Sequence, residues 1–453
     1  MKYIPNSAIR SSLIPTAWTL SLLSLTAGLV CAEDFTRSAD GTSSDWSDAS
    51  LWTPTAVPNS GDSATFDLSS STSVYIDGNF AVNDLQVDAT SGGRTLTFVS
   101  PTENTTHSLT INGTLSKANN STNLSFQNQA GSNHWLNVSI GTLDLSTNGG
   151  TVNFGRSNGT RVLNQLSINQ TILGGGGGSN SIGINLNISN DYTLGKLTFN
   201  PGDNEKKINL ITNDASASGY SRTATSTGIS DTSTNSTIAG SLNTSQSANE
   251  ATLRIATESG QTYQAATSLT DGTGGTLTLR HDGAGTQILS GDLSHTGGTY
   301  VDSGTLVISG TLASEGNLSV SSTGTLVAAN ALTSENLILA DGATLGFNLE
   351  EDGSISLSGD LLSTGSEAEF IIDFRGTGNL GESYNGVLSI TGSSSAFEGS
   401  TLSFINFSNS EISGDLTFDE LTNGFTIIPE PSQAALFIGA FLISILSAKR
   451  IRK

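Results

Sequence analysis

Low charge, a glycine- and hydroxyl-rich composition and short alternating runs that recur along the chain point to an all-β protein wound as a β-solenoid. Charged residues make up only 13% of the 453, about half the share of a typical soluble protein. Gly numbers 51 and Pro only 8, while Ser, Thr and Asn stand where a helical protein would carry Lys, Glu and Ala. Short runs of alternating apolar and polar residues recur along the chain, and one motif returns at nearly constant spacing. The apolar fraction, 35%, still suffices for a core.

The alternating runs are "SVYI" (73–76), "TLTF" (95–98), "SLTI" (108–111), "NLSF" (123–126), "TLDL" (142–145), "TVNF" (151–154), "KLTF" (196–199), "TLTL" (276–279) and "TLVI" (305–308). Each puts apolar side chains on one face and Thr, Ser or Asn on the other, the period-two pattern of a strand. Between Glu33 and Thr426 no stretch of 12 or more residues keeps a 3.6-residue period. Gly-Thr-Leu occurs at 275–277, 304–306, 310–312 and 324–326, with Gly342-Ala-Thr-Leu345 as a variant. The steps Gly304 to Gly324 and Gly324 to Gly342 are 20 and 18 residues. That is the length of one coil, whose strands bury their apolar face only when the next coil stacks on it. A Greek-key sandwich also yields short strands, though with less regular motif spacing.

In chain order, residues 1–32 read as a secretory signal peptide. Lys2 and Arg10 form the positive start, Leu20 to Val30 the apolar run, and Val30-Cys31-Ala32 the small-residue site, with cleavage after Ala32. Cys31 raises a lipoprotein site as the rival, but Val30 is too bulky before it. The only Cys thus leaves with the signal, and the body has no disulfide or Cys-based metal site. Residues 33–212 form a first solenoid region, 213–249 a Ser/Thr/Asn-rich loop or linker, and 250–426 a second solenoid region. Longer apolar strands at 368–374 and 400–407 suit its C-terminal part or cap.

Residues 33–428 hold 39 acidic and 12 basic side chains, the 18 of the chain less Lys2, Arg10, Lys449, Arg450, Arg452 and Lys453. A body this acidic is a poor partner for nucleic acid or an anionic membrane surface. The chain then ends "IIPEPSQAALFIGAFLISILSAKRIRK" (427–453), where Ala434–Ala448 is an uncharged run, short for a span of about 20 residues. Its basic end would stay cytoplasmic. Pro429-Glu430-Pro431, this short transmembrane helix and the basic cluster Lys449, Arg450, Arg452 and Lys453 resemble the PEP-CTERM sorting signal of Gram-negative bacteria. The resemblance implies a membrane-embedded exosortase as partner. Pro429, Glu430 and Pro431 would be its recognition motif, Ala434–Ala448 a transient anchor, and the basic cluster a retention charge.

A second resemblance covers "GAGTQILSGDLSHTGGTYVDSGTLVISG", 283–310. Gly283, Gly285, Leu289, Gly291, Gly297, Gly298, Thr299, Val301, Gly304, Leu306 and Val307 match the autotransporter-associated β-strand repeat, which implies a passenger-like, right-handed parallel β-helix. The opening "DWSDASLWTPTAVPNSGDSATF" (45–66) is similar to the start of proteins carrying that repeat. There Trp46 and Trp52 would cap the solenoid end, with carbohydrate stacking as their functional alternative. No set of amphipathic strands of roughly ten residues precedes the C-terminus, as a transmembrane barrel would need. Self-translocation is therefore not expected.

Nothing announces chemistry. His107, His134, His281 and His295 occur singly, without zinc-site spacing. No Gly-x-Ser-x-Gly elbow precedes a helix, and the glycine run 174–178 lacks the Lys-Ser/Thr of a phosphate loop. His281-Asp282 and Asp373-x-Arg375 are the candidate pairings for solenoid acid/base chemistry, and Glu351-Asp352-Gly353 the candidate calcium corner; an ordinary turn or polar surface is the stronger reading of each. The expected function is a non-enzymatic adhesin, biofilm component or coat at the cell surface or in the matrix, without cofactor or metal. It would meet exopolysaccharide or other surface proteins. The alternative is a polysaccharide-binding or polysaccharide-cleaving β-helix, which would show a groove with clustered carboxylates and aromatics.

Overall fold

The computed structural model describes residues 32–426 apart from 40–43, 90–92, 102–104, 119–121, 130–134, 148–149, 156–162, 175–181, 203, 212–220, 234, 243–248, 366–369, 376–382, 398–400 and 406–412. The signal segment 1–31 and the whole sorting segment 427–453 lie outside the described residues.

Alternation places Leu, Val, Ile and Phe on one side of nearly every strand, so no strand can hide that side alone. The solution is parallel stacking. The strands form a 16-stranded sheet (sheet 1), a 14-stranded sheet (sheet 2) and an 8-stranded sheet (sheet 3). Consecutive strands enter different sheets and return to the same sheet one coil later. Thr299–Val301 lies in sheet 1, Gly304–Ile308 in sheet 3, Thr311–Ala313 in sheet 2, and Leu318–Val320 is back in sheet 1. The pairing is parallel and in register, as with Gly304 on Gly324 and Leu306 on Leu326. A parallel β-solenoid results, and the antiparallel pairing of a Greek-key sandwich is confined to the ends.

The coil length is not uniform. In the three-sheet part the Asn336 amide donates to Asn317, 19 residues back, at 2.9 Å, as the Gly-Thr-Leu spacing requires. Further toward the N-terminus the coils are longer and use two sheets. Asn185 donates to Asn153, 32 residues away, and Asn209 to Asn185, 24 residues away. Strands such as Thr106–Lys117 and Trp135–Leu145 carry the chain around a corner within a single element, with a register irregularity between Ile140 and Thr142.

Inward columns fill these cross-sections. Phe98, Phe126 and Phe154 stack coil on coil, with ring centroids 5.1 and 5.2 Å apart. In the narrower part the column is Leu306, Leu326, Leu345 and Ile372, all fully buried. The repeat glycines mark where coils come closest. Gly304 has a left-handed φ of 66°, and a Cβ there would collide with the Gly283 carbonyl oxygen of the preceding coil. Glycine is therefore required on both counts.

The polar stretch 213–249 does not behave as a linker. Its described residues include Ser221–Asp231 in sheet 1 and Ser236–Leu242 in sheet 2, each paired in parallel on both sides. The inward residues Ala224 and Ser226 are small, which hides the strand from a hydropathy reading, and the ladder to neighbouring coils supplies the missing stability. Ser226 Oγ, fully buried, donates to the Gly195 carbonyl at 2.8 Å.

Both ends interrupt the parallel ladder, which protects the sheet edges from further pairing. At the N-terminal end Trp52–Thr53 pairs antiparallel with Asp34–Ala39. Trp46 and Trp52 pack against each other there (5.1 Å) and on Phe66, with the Arg37 guanidinium 5.4 Å from the Trp52 ring. At the other end Thr401–Ile405 and Ser413–Thr417 form an antiparallel pair. The short helix Phe418–Asn423 then folds Phe418 and Leu421 onto the core. Thr417 and Glu420 close a capping box at its start.

Candidate functional site

Carbohydrate stacking, the alternative to capping for Trp46 and Trp52, is closed to them. Trp46 and Trp52 are 0% and 1% exposed, and the Trp52 indole N–H donates to the Trp46 carbonyl at 3.0 Å. They hold the end of the solenoid from inside. Ala32, at the expected cleavage point, is exposed. Pro429, Glu430, Pro431, the helix 434–448 and the basic cluster lie outside the described residues, and among those described no helix is long and apolar enough to cross a membrane.

The His281–Asp282 pairing separates in space. His281 points inward and is fully buried, whereas Asp282 turns outward to the Arg254 guanidinium at 2.5 Å. Arg280 and Asp302 repeat this diagonal one coil later at 3.3 Å, so these charges join adjacent coils. Asp373 is fully buried, and the side chain of Arg375 lies outside the described residues. Asp352 is simply the left-handed residue (φ 56°) that ends the short helix Leu349–Glu351. Among the described residues no group of three or more His, Cys, Asp or Glu side chains gathers as a metal site would require. His134 lies outside them.

The buried polar groups serve the fold. Burial pushes the His295 imidazole down to about 4; its Nε2 sits 2.9 Å from Thr299 Oγ1, and Nδ1 has no partner. Burial likewise lowers His281, whose Nδ1–H donates to the Ser303 carbonyl at 2.9 Å. His107 is buried with Nδ1 2.5 Å from the Ile76 carbonyl. The buried carboxylate of Asp231 accepts from the Ser233 N–H, the Thr267 hydroxyl and the Ser236 hydroxyl. Lys206 Nζ donates to the carbonyls of Gly202 and Asn204, both at 3.0 Å.

The surfaces that can meet a partner are the outer faces of the sheets. Polar residues at one register position form ladders across coils. On sheet 1 Ser108, Asn137 and Gln165 lie in one column and Thr110, Ser139, Ser167, Thr193 and Thr225 in the next. On sheet 2 Asn153, Asn185 and Asn209 are bonded amide to amide at 2.8 and 2.7 Å. Two features break this uniformity. One is a groove of about 780 Å³ near the C-terminal end, lined by Ser314, Glu315, Thr333, Glu335, Ser358 and Thr391 among others. It holds carboxylates from successive coils but no aromatic side chain. The other is Trp135, 36% exposed at the start of its strand on sheet 1. Sequence reading missed it, although the alternation in "WLNVSI" (135–140) already puts Trp135, Asn137 and Ser139 on the face opposite Leu136, Val138 and Ile140.

Comparison with known proteins gives one match. Residues 279–308 match the passenger-associated-transport-repeat family model, which is similarity over one and a half coils. In this solenoid the matched residues run from Leu279 in sheet 1 through sheets 3 and 2 and back to Ile308 in sheet 3. No curated protein and no solved structure matches the chain.

Proposed function

We propose that this chain is an exported, non-enzymatic passenger-like solenoid that works at the cell surface or in the extracellular matrix as an adhesive or coat component. The observation that carries the reading is the passenger-associated repeat at 279–308, set in a parallel solenoid whose strands continue on both sides. The repeat and the fold suit a surface or secreted protein. The hydroxyl and amide ladders, with the Arg254–Asp282 and Arg280–Asp302 pairs joining adjacent coils, suit a durable polar rod more than a catalytic cleft.

Delivery follows from the two termini. The signal peptide opens the secretory route and is removed after Ala32. Pro429-Glu430-Pro431, Ala434–Ala448 and the terminal basic residues act as a PEP-CTERM signal that holds the chain in the membrane until an exosortase-type enzyme releases it. The body then passes to the surface or the biofilm matrix. Changing Pro429, Glu430 and Pro431 together to Ala is expected to leave an uncleaved form in the membrane fraction, several kilodaltons heavier than the released chain. Processing as in the wild type, read on an immunoblot of fractionated cells, would remove the sorting assignment.

A further inference from the structure

Among the described residues Trp135 is the tryptophan whose indole is exposed. The chain has four Trp, of which Trp46 and Trp52 are buried and Trp18 lies in the signal segment. Trp135 opens the strand Trp135–Leu145, and Asn137 and Ser139 follow it on the same outer face, about 7 Å apart per pair of residues. From Asn137 an amide ladder climbs the solenoid axis. Asn164 Nδ2 donates to Asn137 Oδ1 at 2.6 Å, and Asn190 Nδ2 donates to the Asn164 carbonyl at 2.9 Å. Beside it run the hydroxyls of Ser108, Thr110, Ser139 and Ser167, with the Thr193 hydroxyl donating to Ser167 at 3.1 Å.

We infer that this face, from Trp135 along the ladder Asn137–Asn164–Asn190, binds an uncharged glycan chain. A pyranose ring has an apolar C–H face that lies flat on an indole, and hydroxyls at its rim that both donate and accept. An indole supplies the first kind of surface. Asn190 Nδ2 is directed at both the carbonyl and Oδ1 of Asn164 (2.9 and 3.2 Å), whereas Asn137 and Asn164 keep an N–H, and their oxygens a second lone pair, for those hydroxyls. Coils rise by about 4.8 Å, close to the length of one sugar ring in an extended glycan. Successive ladder amides therefore present themselves to successive sugars. Charge decides between glycan classes. The platform offers amides and hydroxyls, and the adjoining guanidinium of Arg222 beyond Asn190 is engaged by the Ile188 and Ser221 carbonyls. Residues 33–428 carry 39 acidic against 12 basic groups, so polyuronates and sulfated polymers are repelled.

This inference names a partner for the exported solenoid and so rests on that reading for its setting, but its test is independent of location. The purified full-length chain in mild detergent would be titrated with hexamers of β-1,4-glucose, β-1,3-glucose and β-1,4-N-acetylglucosamine, with a hexauronate as the charged comparison. Difference emission spectra against the Trp135→Phe variant isolate Trp135 from the other three tryptophans. A saturable change with at least one neutral hexamer is expected, with Kd below about 1 mM. Trp135→Ala should weaken binding at least tenfold and Asn164→Ala several-fold. Melting curves of the variants serve to confirm that they fold. No neutral hexamer altering Trp135 emission, equal binding by Trp135→Ala, or binding of the hexauronate alone would each overturn it. A chain recovered outside the cell that binds no glycan would end this inference and leave the exported reading standing.

Discussion

Replacing Gln287 with Leu is expected to destabilise the solenoid by about 3 kcal/mol and to free the Ile229 amide for hydrogen exchange. Gln287 is fully buried, and its side chain does the work of a strand. Its Oε1 accepts from the Ile229 N–H at 2.9 Å and its Nε2 donates to the Ile229 carbonyl at 2.9 Å. This happens where the coil changes from two sheets to three. The second half of Ser221–Asp231 pairs with Tyr192–Phe199 on one side, but its ladder to Glu250–Ile255 stops at Ser226. Beyond that point Gly228 meets the Tyr263 ring, which also lies 4.5 Å from Lys196 Nζ. Without Gln287 two buried backbone groups lose their partners, and such groups cost more than the mean value of a hydrogen bond. Urea unfolding followed by circular dichroism, together with exchange at Ile229, measures both effects. Unchanged exchange at Ile229 would show that the amide clasp is not needed. Because neighbouring coils hold one another, the opening should start at this junction and spread.

Acidification from pH 6.5 to 4 is expected to remove about 3 kcal/mol of stability through His295 alone. Burial holds its folded pKa at about 4, below its ordinary value of 6.5, with Asp271 opposing the shift. The sign follows directly. The folded state binds the proton less readily than the unfolded chain, so stability is complete above pH 6.5, falls as the pH drops toward 4, and levels off below. His281, also buried neutral, pushes the same way against Asp282 and Asp302. The difference in unfolding free energy between wild type and His295→Gln, followed from pH 8 to pH 4, should therefore shrink or reverse as the pH falls. A difference independent of pH would mean that His295 does not titrate below its ordinary range. Both histidines belong to the coils around the passenger-associated repeat, so the most regular part of the solenoid is also acid-sensitive.

The strands were legible because alternation is a local signal that stacking does not disturb. "TLTF", "NLSF" and "TVNF" became the inward column Phe98, Phe126 and Phe154. The coil length was legible only where glycine corners repeat, from Gly304 onward. In the longer two-sheet coils the corners fall within strands such as Thr106–Lys117, and no motif marks them. The strand Ser221–Asp231 was read as a loop because its stability lies in neighbouring coils and in Gln287, 58 residues away. Hydropathy of the strand itself carries none of that. The helix Phe418–Asn423 was too short for periodicity, though Thr417 and Glu420 at capping-box spacing mark its start. At the N-terminal end, the reading of Trp46 and Trp52 as caps agrees with their burial, and only the stacking alternative falls. The end of a solenoid needs large apolar plugs, and the two indoles supply them.

The proposed export, with processing at both ends, is tested by intact-mass determination of the protein recovered from cytoplasmic, membrane and extracellular fractions. A surface or extracellular form that begins at Glu33 and ends near Pro429–Pro431 is expected. A full 453-residue chain confined to the cytoplasm would contradict it.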